Sequence, residues 1–161
     1  MHTDYEMEPK ESIFTEEDLH QYREATNTQR FINYLVDNLL MRYGLSYATG
    51  IVVGMFIGLA WPEYIERIST DPGRFDLLLL GVLIGYFNYL VYYTFCEKLF
   101  RGYTLGKVIT GTRAIRTDGA ELTFKDALYR SLSRMVPFEV LSGFSYPWHD
   151  TWTNTMVIKT R

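Results

Sequence analysis

Two carboxylates stand where a carboxylate is expensive. In RFINYLVDNLLMR, Asp37 shares one helical stripe with Arg30 and Asn33, at i, i+3 and i+7. Glu97 ends a second stripe, Tyr86, Tyr89, Tyr93, Glu97, that runs out of a long apolar segment. Carboxylates at such positions must be paired, hydrated or in use, and each is a functional hypothesis by default. Two chemistries suit them. As an ion or proton site they would exchange a proton for a hard cation, with Asn33, Asn88 and tyrosine hydroxyls adding oxygen ligands. As a staple they would pair with Arg30, Lys107 or another base and fix one face of the molecule. Arg30 and Asp37 point the same way but stand roughly 10 Å apart along the axis, too far for a direct pair. Asp150, in PWHDTWTNTMVIK, is a third candidate acid.

Other chemistries find little footing. His149-Asp150 resembles half of an acid–base pair, but no serine or cysteine lies in a recognisable nucleophile elbow. Lys107 follows Thr104-Leu105-Gly106 without the upstream glycine spacing of a phosphate loop. A single cysteine, Cys96, excludes an intramolecular disulfide and a multi-cysteine metal site, and three histidines make any metal site a poor expectation. No enzyme, metal or cofactor is expected, and a net charge of −3 argues against nucleic acid as a partner.

The elements that carry these residues are those of a membrane protein. A mean hydropathy of −0.09 over 161 residues hides two segments without a charge, Tyr43 to Trp61 and Leu77 to Cys96. Each has the ~20 residues a helix needs to cross a hydrocarbon core of roughly 30 Å. A chain this small could scarcely bury two such helices inside itself. The first is expected to continue backwards into the Arg30–Asp37 helix, which sets Asp37 near the boundary of the bilayer. The fifteen-residue link, PEYIERISTDPGRFD, holds Arg67 and Arg74 against four acids. The stretch after the second span holds Lys98, Arg101, Lys107, Arg113, Arg116, Lys125, Arg130 and Arg134. The positive-inside rule then predicts a multi-pass protein of the cell (inner) membrane with both termini cytoplasmic.

Around the spans, residues 1–26 carry eight acids against two bases and read as a flexible acidic tail, with a short helix from Thr15 to Glu24 possible. Residues 27–161 form the membrane domain. Its polar part is expected to hold a β-hairpin over about 107–124, turning at Asp118-Gly119, with NTMVIKT as a strand able to join it. Over about 124–141 the stripe Phe124, Leu128, Ser131, Leu132, Met135, Phe138, with Lys125, Arg130 and Arg134 off it, predicts an amphipathic helix in the interface plane, kinked by Pro137. Gly50, Gly54 and Gly58 on span one and Gly81 and Gly85 on span two form small-residue ridges for helix packing, within the chain or between copies.

In this order and spacing the residues resemble the RDD family of small membrane proteins. Arg30 and Asp37 match its first arginine and aspartate, and Asp150 its second aspartate. Glu97, Gly102, Thr104, Gly106 and Lys107 match its middle signature. Leu105, Thr151 and Asn154 depart from the proline, arginine and glycine common there. The resemblance covers roughly residues 29–158 and implies transport of a small ligand or cation–proton exchange, or else service as an accessory subunit. Two spans cannot enclose a pathway, so transport would require an oligomer. The alternative is a non-catalytic scaffold with the lipid bilayer and other membrane subunits as its partners.

Overall fold

In a computed structural model, residues 22–70, 75–142 and 147–160 are described. The predicted tail helix falls mainly outside them, and Glu24, its last residue, lies in a β-bridge instead.

The first long helix is continuous from Asn27 to Ala60, 34 residues, as its sequence predicts. Thr26 starts it with a capping box: its hydroxyl accepts the Gln29 N–H at 3.3 Å, and the Gln29 side chain accepts the Thr26 N–H at 3.1 Å. It has three parts. Helix α1, Asn27–Leu39, buries Asn33 and Asp37. Leu40–Leu45 is a π-helical turn. Helix α2, Ser46–Ala60, buries none of its side chains. Pro62, favoured at a first helical position, opens α3, Pro62–Thr70, so the first part of the link between the spans is itself helical. Helix α4, Phe75–Leu99, has 25 residues, about 37 Å at 1.5 Å each. Both long helices have the length and composition to cross a membrane. Buried Asn88 joins them, donating to Ser46 Oγ at 3.3 Å and accepting from Thr49 Oγ1 at 3.2 Å.

The polar module is built differently from the predicted hairpin. Residues 107–110 belong to a short helix, α5, Leu105–Thr110, capped by the Thr104 hydroxyl and stopped at Gly111 in the left-handed region. Strand β1, Thr112–Arg116, follows, but Ala120–Thr123 do not pair with it as a second strand. The Asp118-Gly119 turn closes only two backbone bonds, Gly119 N–H to Arg116 O and Arg116 N–H to Ala120 O, both at 3.0 Å. The partner of β1 is the late strand β2, Thr155–Lys159, antiparallel with Ala114 opposite Val157. A tight turn thus supplied a local hairpin signal that the long-range partner overrode, because pairing with β2 sets Ala114 against Val157 in the core, with Ile115 and Ile158 also buried. On the other edge of β2, Ala25 N–H donates to Val157 O and Lys159 N–H to Arg23 O, both at 2.8 Å. Residues 22–26, counted above in the acidic tail, therefore belong to the fold.

The predicted interfacial helix is also corrected. Helix α6, Phe124–Arg134, ends seven residues early, since Pro137 cannot serve a helix interior and restrains the residue before it. A separate short helix, α7, spans Glu139–Ser142, and α8 spans Trp148–Trp152. Phe124 and Leu132 of the apolar stripe are exposed. Arg130 and Arg134, expected on the solvated face, are turned inward: Arg130 is 0% exposed. The stripe that packs on α4 is Ala127, Arg130, Ser131 and Arg134, where small residues let the helices approach and Thr94 Oγ1 donates to Ser131 Oγ at 3.0 Å.

Candidate functional site: a buried charge network where the spans meet the polar module

Glu97 is completely buried and three cations converge on it. Lys107 Nζ donates to Oε1 at 2.6 Å, Arg134 Nη2 to Oε1 at 2.8 Å, and Arg130 Nε to Oε2 at 3.0 Å. Arg130 continues the chain of charges by donating from Nη1 to Asp150 Oδ1 at 2.6 Å and to the Thr155 hydroxyl. Asp150 Oδ2 accepts from Arg30 Nη1. One network, Arg30–Asp150–Arg130–Glu97 with Lys107 and Arg134, thus ties α1, α4, α5, α6 and α8 together. It holds four cations against two carboxylates. Two guanidinium nitrogens in it, Arg130 Nη2 and Arg134 Nη1, are buried without a hydrogen-bond partner. Arg134 lies over the Tyr93 ring, 4.5 Å from its centroid, which places part of its charge against a π-face.

Titration follows from this packing. Burial pushes the Lys107 ammonium down to about 8, against the opposing pull of Glu97. Asp150 is raised by burial but carried well below the usual carboxylate range by Arg130, His149 and Arg30. His149, whose Nδ1 meets Glu139 Oε1 and whose Nε2 is 3.4 Å from Asp150 Oδ1, is pushed down to about 4 by burial and by Arg134. It is neutral at pH 7. Glu139 stays below its ordinary value, the His149 hydrogen bond outweighing its burial.

Asp37 is held apart from the cations. Its Oδ1 accepts from the Tyr92 hydroxyl at 2.7 Å and from the Gly106 N–H at 2.8 Å, and its Oδ2 accepts from the Thr104 hydroxyl at 2.7 Å. The staple expected between Asp37 and a base is therefore a set of uncharged donors. Asn33 does similar work one turn earlier. With its amide nitrogen toward the Gly106 carbonyl at 2.9 Å, its oxygen accepts from Thr112 Oγ1 at 3.0 Å. This docking needs glycine at 106: a Cβ there would stand 2.5 Å from Asn33 O. At Gly102, with φ of 92°, a Cβ would stand 1.9 Å from Ala114 O.

Of the residues singled out from sequence, Arg30, Glu97, Lys107 and Asp150 share one network, while Asn33 and Asp37 share a neighbouring set on α1. No bond joins Asp37 to Glu97. Arg130 and Arg134 were missed as site residues because their distance from the apolar stripe reads as solvation; the Ala127/Ser131 spacing was the available signal for the opposite reading. Tyr92 and Thr104 were missed as partners of Asp37. A cavity of about 150 Å³ adjoins the network, lined by Arg30, Asn33, Asp37, Lys107, Arg134 and His149 among others. Among the described residues no cluster of histidine, cysteine and carboxylate side chains could hold a metal ion. On the spans, a Cβ at Gly50, Gly54, Gly81 or Gly85 would meet nothing within 4 Å.

Comparison with known protein families matches the chain to the RDD family over residues 25–156. No curated protein and no solved structure matches the chain.

Proposed function

Because this chain belongs to the RDD family of membrane proteins, we propose that it is a non-catalytic assembly subunit whose two spans pack against helices outside the chain. The observation that carries this reading is the small-residue ridges that the two spans leave unused in packing on each other. None of the first span's apolar window and 6% of the second's is buried, and the four glycines face open space on ridges that would admit another backbone. The charge network fits a structural role: each Glu97 oxygen already accepts from at least one cation, so the carboxylate stabilises the junction of span and module. In this reading both termini and the module face the cytoplasm, following the basic residues after span two. The exposed Phe124 and Leu132 of α6 lie in the interface plane.

The test is the mass of the complex purified in mild detergent, with every co-purifying chain identified. A homo-oligomer or a stoichiometric membrane partner is expected, and Gly54→Leu should dissociate it without lowering the melting temperature of the protomer. A lone monomer across several mild detergents refutes the proposal. The cavity beside Asp37 and Lys107 favours a second reading, in which an oligomer moves a small ligand or exchanges a cation for protons. That reading requires Asp37→Asn to abolish cation-dependent proton movement in reconstituted vesicles, and an unchanged rate would end it.

A further inference from the structure

A second cleft, of about 740 Å³, opens where α4 ends, between Leu40 at the start of the π-helical turn, the 100–104 loop, α5 and β1. Its walls are apolar and outward-facing: Leu99 is 68% exposed, Phe100 61% and Val108 54%. Its charged lining is of one sign, Arg101 and Arg113, with no carboxylate among the lining residues. Arg113 Nε is buried and has no hydrogen-bond partner, while Arg101 makes only a loose 3.7 Å contact with Glu121, both side chains being largely exposed. Buried guanidinium nitrogen without an acceptor is costly in a folded chain. Here it lies at the level where an apolar span gives way to a polar module, which in a membrane protein is the level of lipid headgroups.

We propose that this cleft binds one anionic phospholipid, its phosphate accepting from Arg113 and Arg101 and its acyl chains lying along Leu40, Leu99, Leu105 and Val108. Charge complementarity selects an anionic lipid over a zwitterionic one, and the apolar walls select a lipid over a free anion. The site does not depend on which leaflet it faces, nor on the assembly proposed above. Binding is read by native mass spectrometry of the full chain in mild detergent, titrated with phosphatidylglycerol, with phosphatidylcholine and, separately, with inorganic phosphate. Phosphatidylglycerol should form a one-to-one adduct in preference to phosphatidylcholine. Arg113→Gln should weaken that adduct about fivefold, the effect of one arginine at a charged surface, and leave phosphatidylcholine adducts unchanged. Val108→Gln, at an exposed position that cannot disturb the core, should weaken both lipids alike and serves if the Arg113 variant does not fold. Equal binding of the two lipids by the native chain overturns the proposal. So does a phosphatidylglycerol adduct that survives both substitutions, or one that millimolar inorganic phosphate displaces completely.

Discussion

Replacing Glu97 by Gln isolates what one buried carboxylate does for this junction. The substitution keeps the volume, removes the charge and turns one acceptor oxygen into an N–H2 donor, leaving Lys107, Arg130 and Arg134 within a fully buried site without their common counter-charge. Removing one partner of a buried ion pair costs about 3–5 kcal/mol, chiefly the desolvation of the charge left behind. Three cations stand here, but Arg130 keeps Asp150 and Arg134 keeps the Tyr93 face, so the loss falls mainly on Lys107. Lys107 already titrates near 8, and Glu97 is the group that holds it up; without that carboxylate its value falls further. The variant should therefore be destabilised by about 3–5 kcal/mol at pH 6, where the native chain keeps Lys107 charged against Glu97. The loss should be clearly smaller at pH 9, where Lys107 sheds its proton and one uncompensated charge disappears. Lys107→Met in the Glu97→Gln background should recover part of the stability, giving a coupling of the sign that contact predicts. Unfolding of the purified protein in detergent, followed by tryptophan fluorescence at both pH values, measures each term. A Glu97→Gln variant as stable as the native chain at pH 6, or equally destabilised at both, would refute the reasoning.

Gly106→Ala should loosen α5 from α1 at a cost of about 1–3 kcal/mol, the range for overpacking, because its Cβ meets backbone that cannot swing aside. Gly102→Ala, with a positive φ and a nearer backbone oxygen, should be the worse of the two when their melting temperatures are compared. Acid should destabilise the module early. His149 binds its proton near 4 when folded and near 6.5 when unfolded, so unfolding takes up a proton between those values and stability falls with pH there. From His149 alone the loss between pH 8 and pH 5 is about 2 kcal/mol. Glu139 and Asp150, both held below their ordinary values, add to it in the same direction at lower pH. His149→Gln should flatten the melting-temperature profile between pH 5 and 7, and an unchanged slope would exclude this residue as its source.

How much of this was legible in the sequence differs by element. Charge-free runs announced both spans, and the Arg30–Asn33–Asp37 stripe carried the first helix back through Arg30. The spacing that put Arg30, Glu97, Lys107 and Asp150 forward was also sound, since the network unites all four. What local pattern could not supply was direction. Arg130 and Arg134 lie off an apolar stripe, and in water that means the outer face; beside a bilayer the apolar stripe is free to face outward and the charged one to pack. The late strand read from NTMVIKT does join the sheet, but the local hairpin failed for a related reason. Asp118-Gly119 makes a turn, but the strand that completes the pairing stands some forty residues on, at Thr155–Lys159, and no short-range signal ranks a distant partner above a near one.

The network also imposes an order on synthesis. Arg30 and Asp150 are 120 residues apart, and both charge-free segments lie between them. A ribosome releases Arg30, then Glu97, then Arg130, and only afterwards the aspartate that Arg30 and Arg130 share. Both spans leave the ribosome before their clasp exists, and until Asp150 and β2 emerge the nascent chain carries two arginines whose common acceptor has not yet been made. Closure of the module is thus a late event that joins the beginning of the domain to its end, a check that the segments between have been made before the charges are sealed from water.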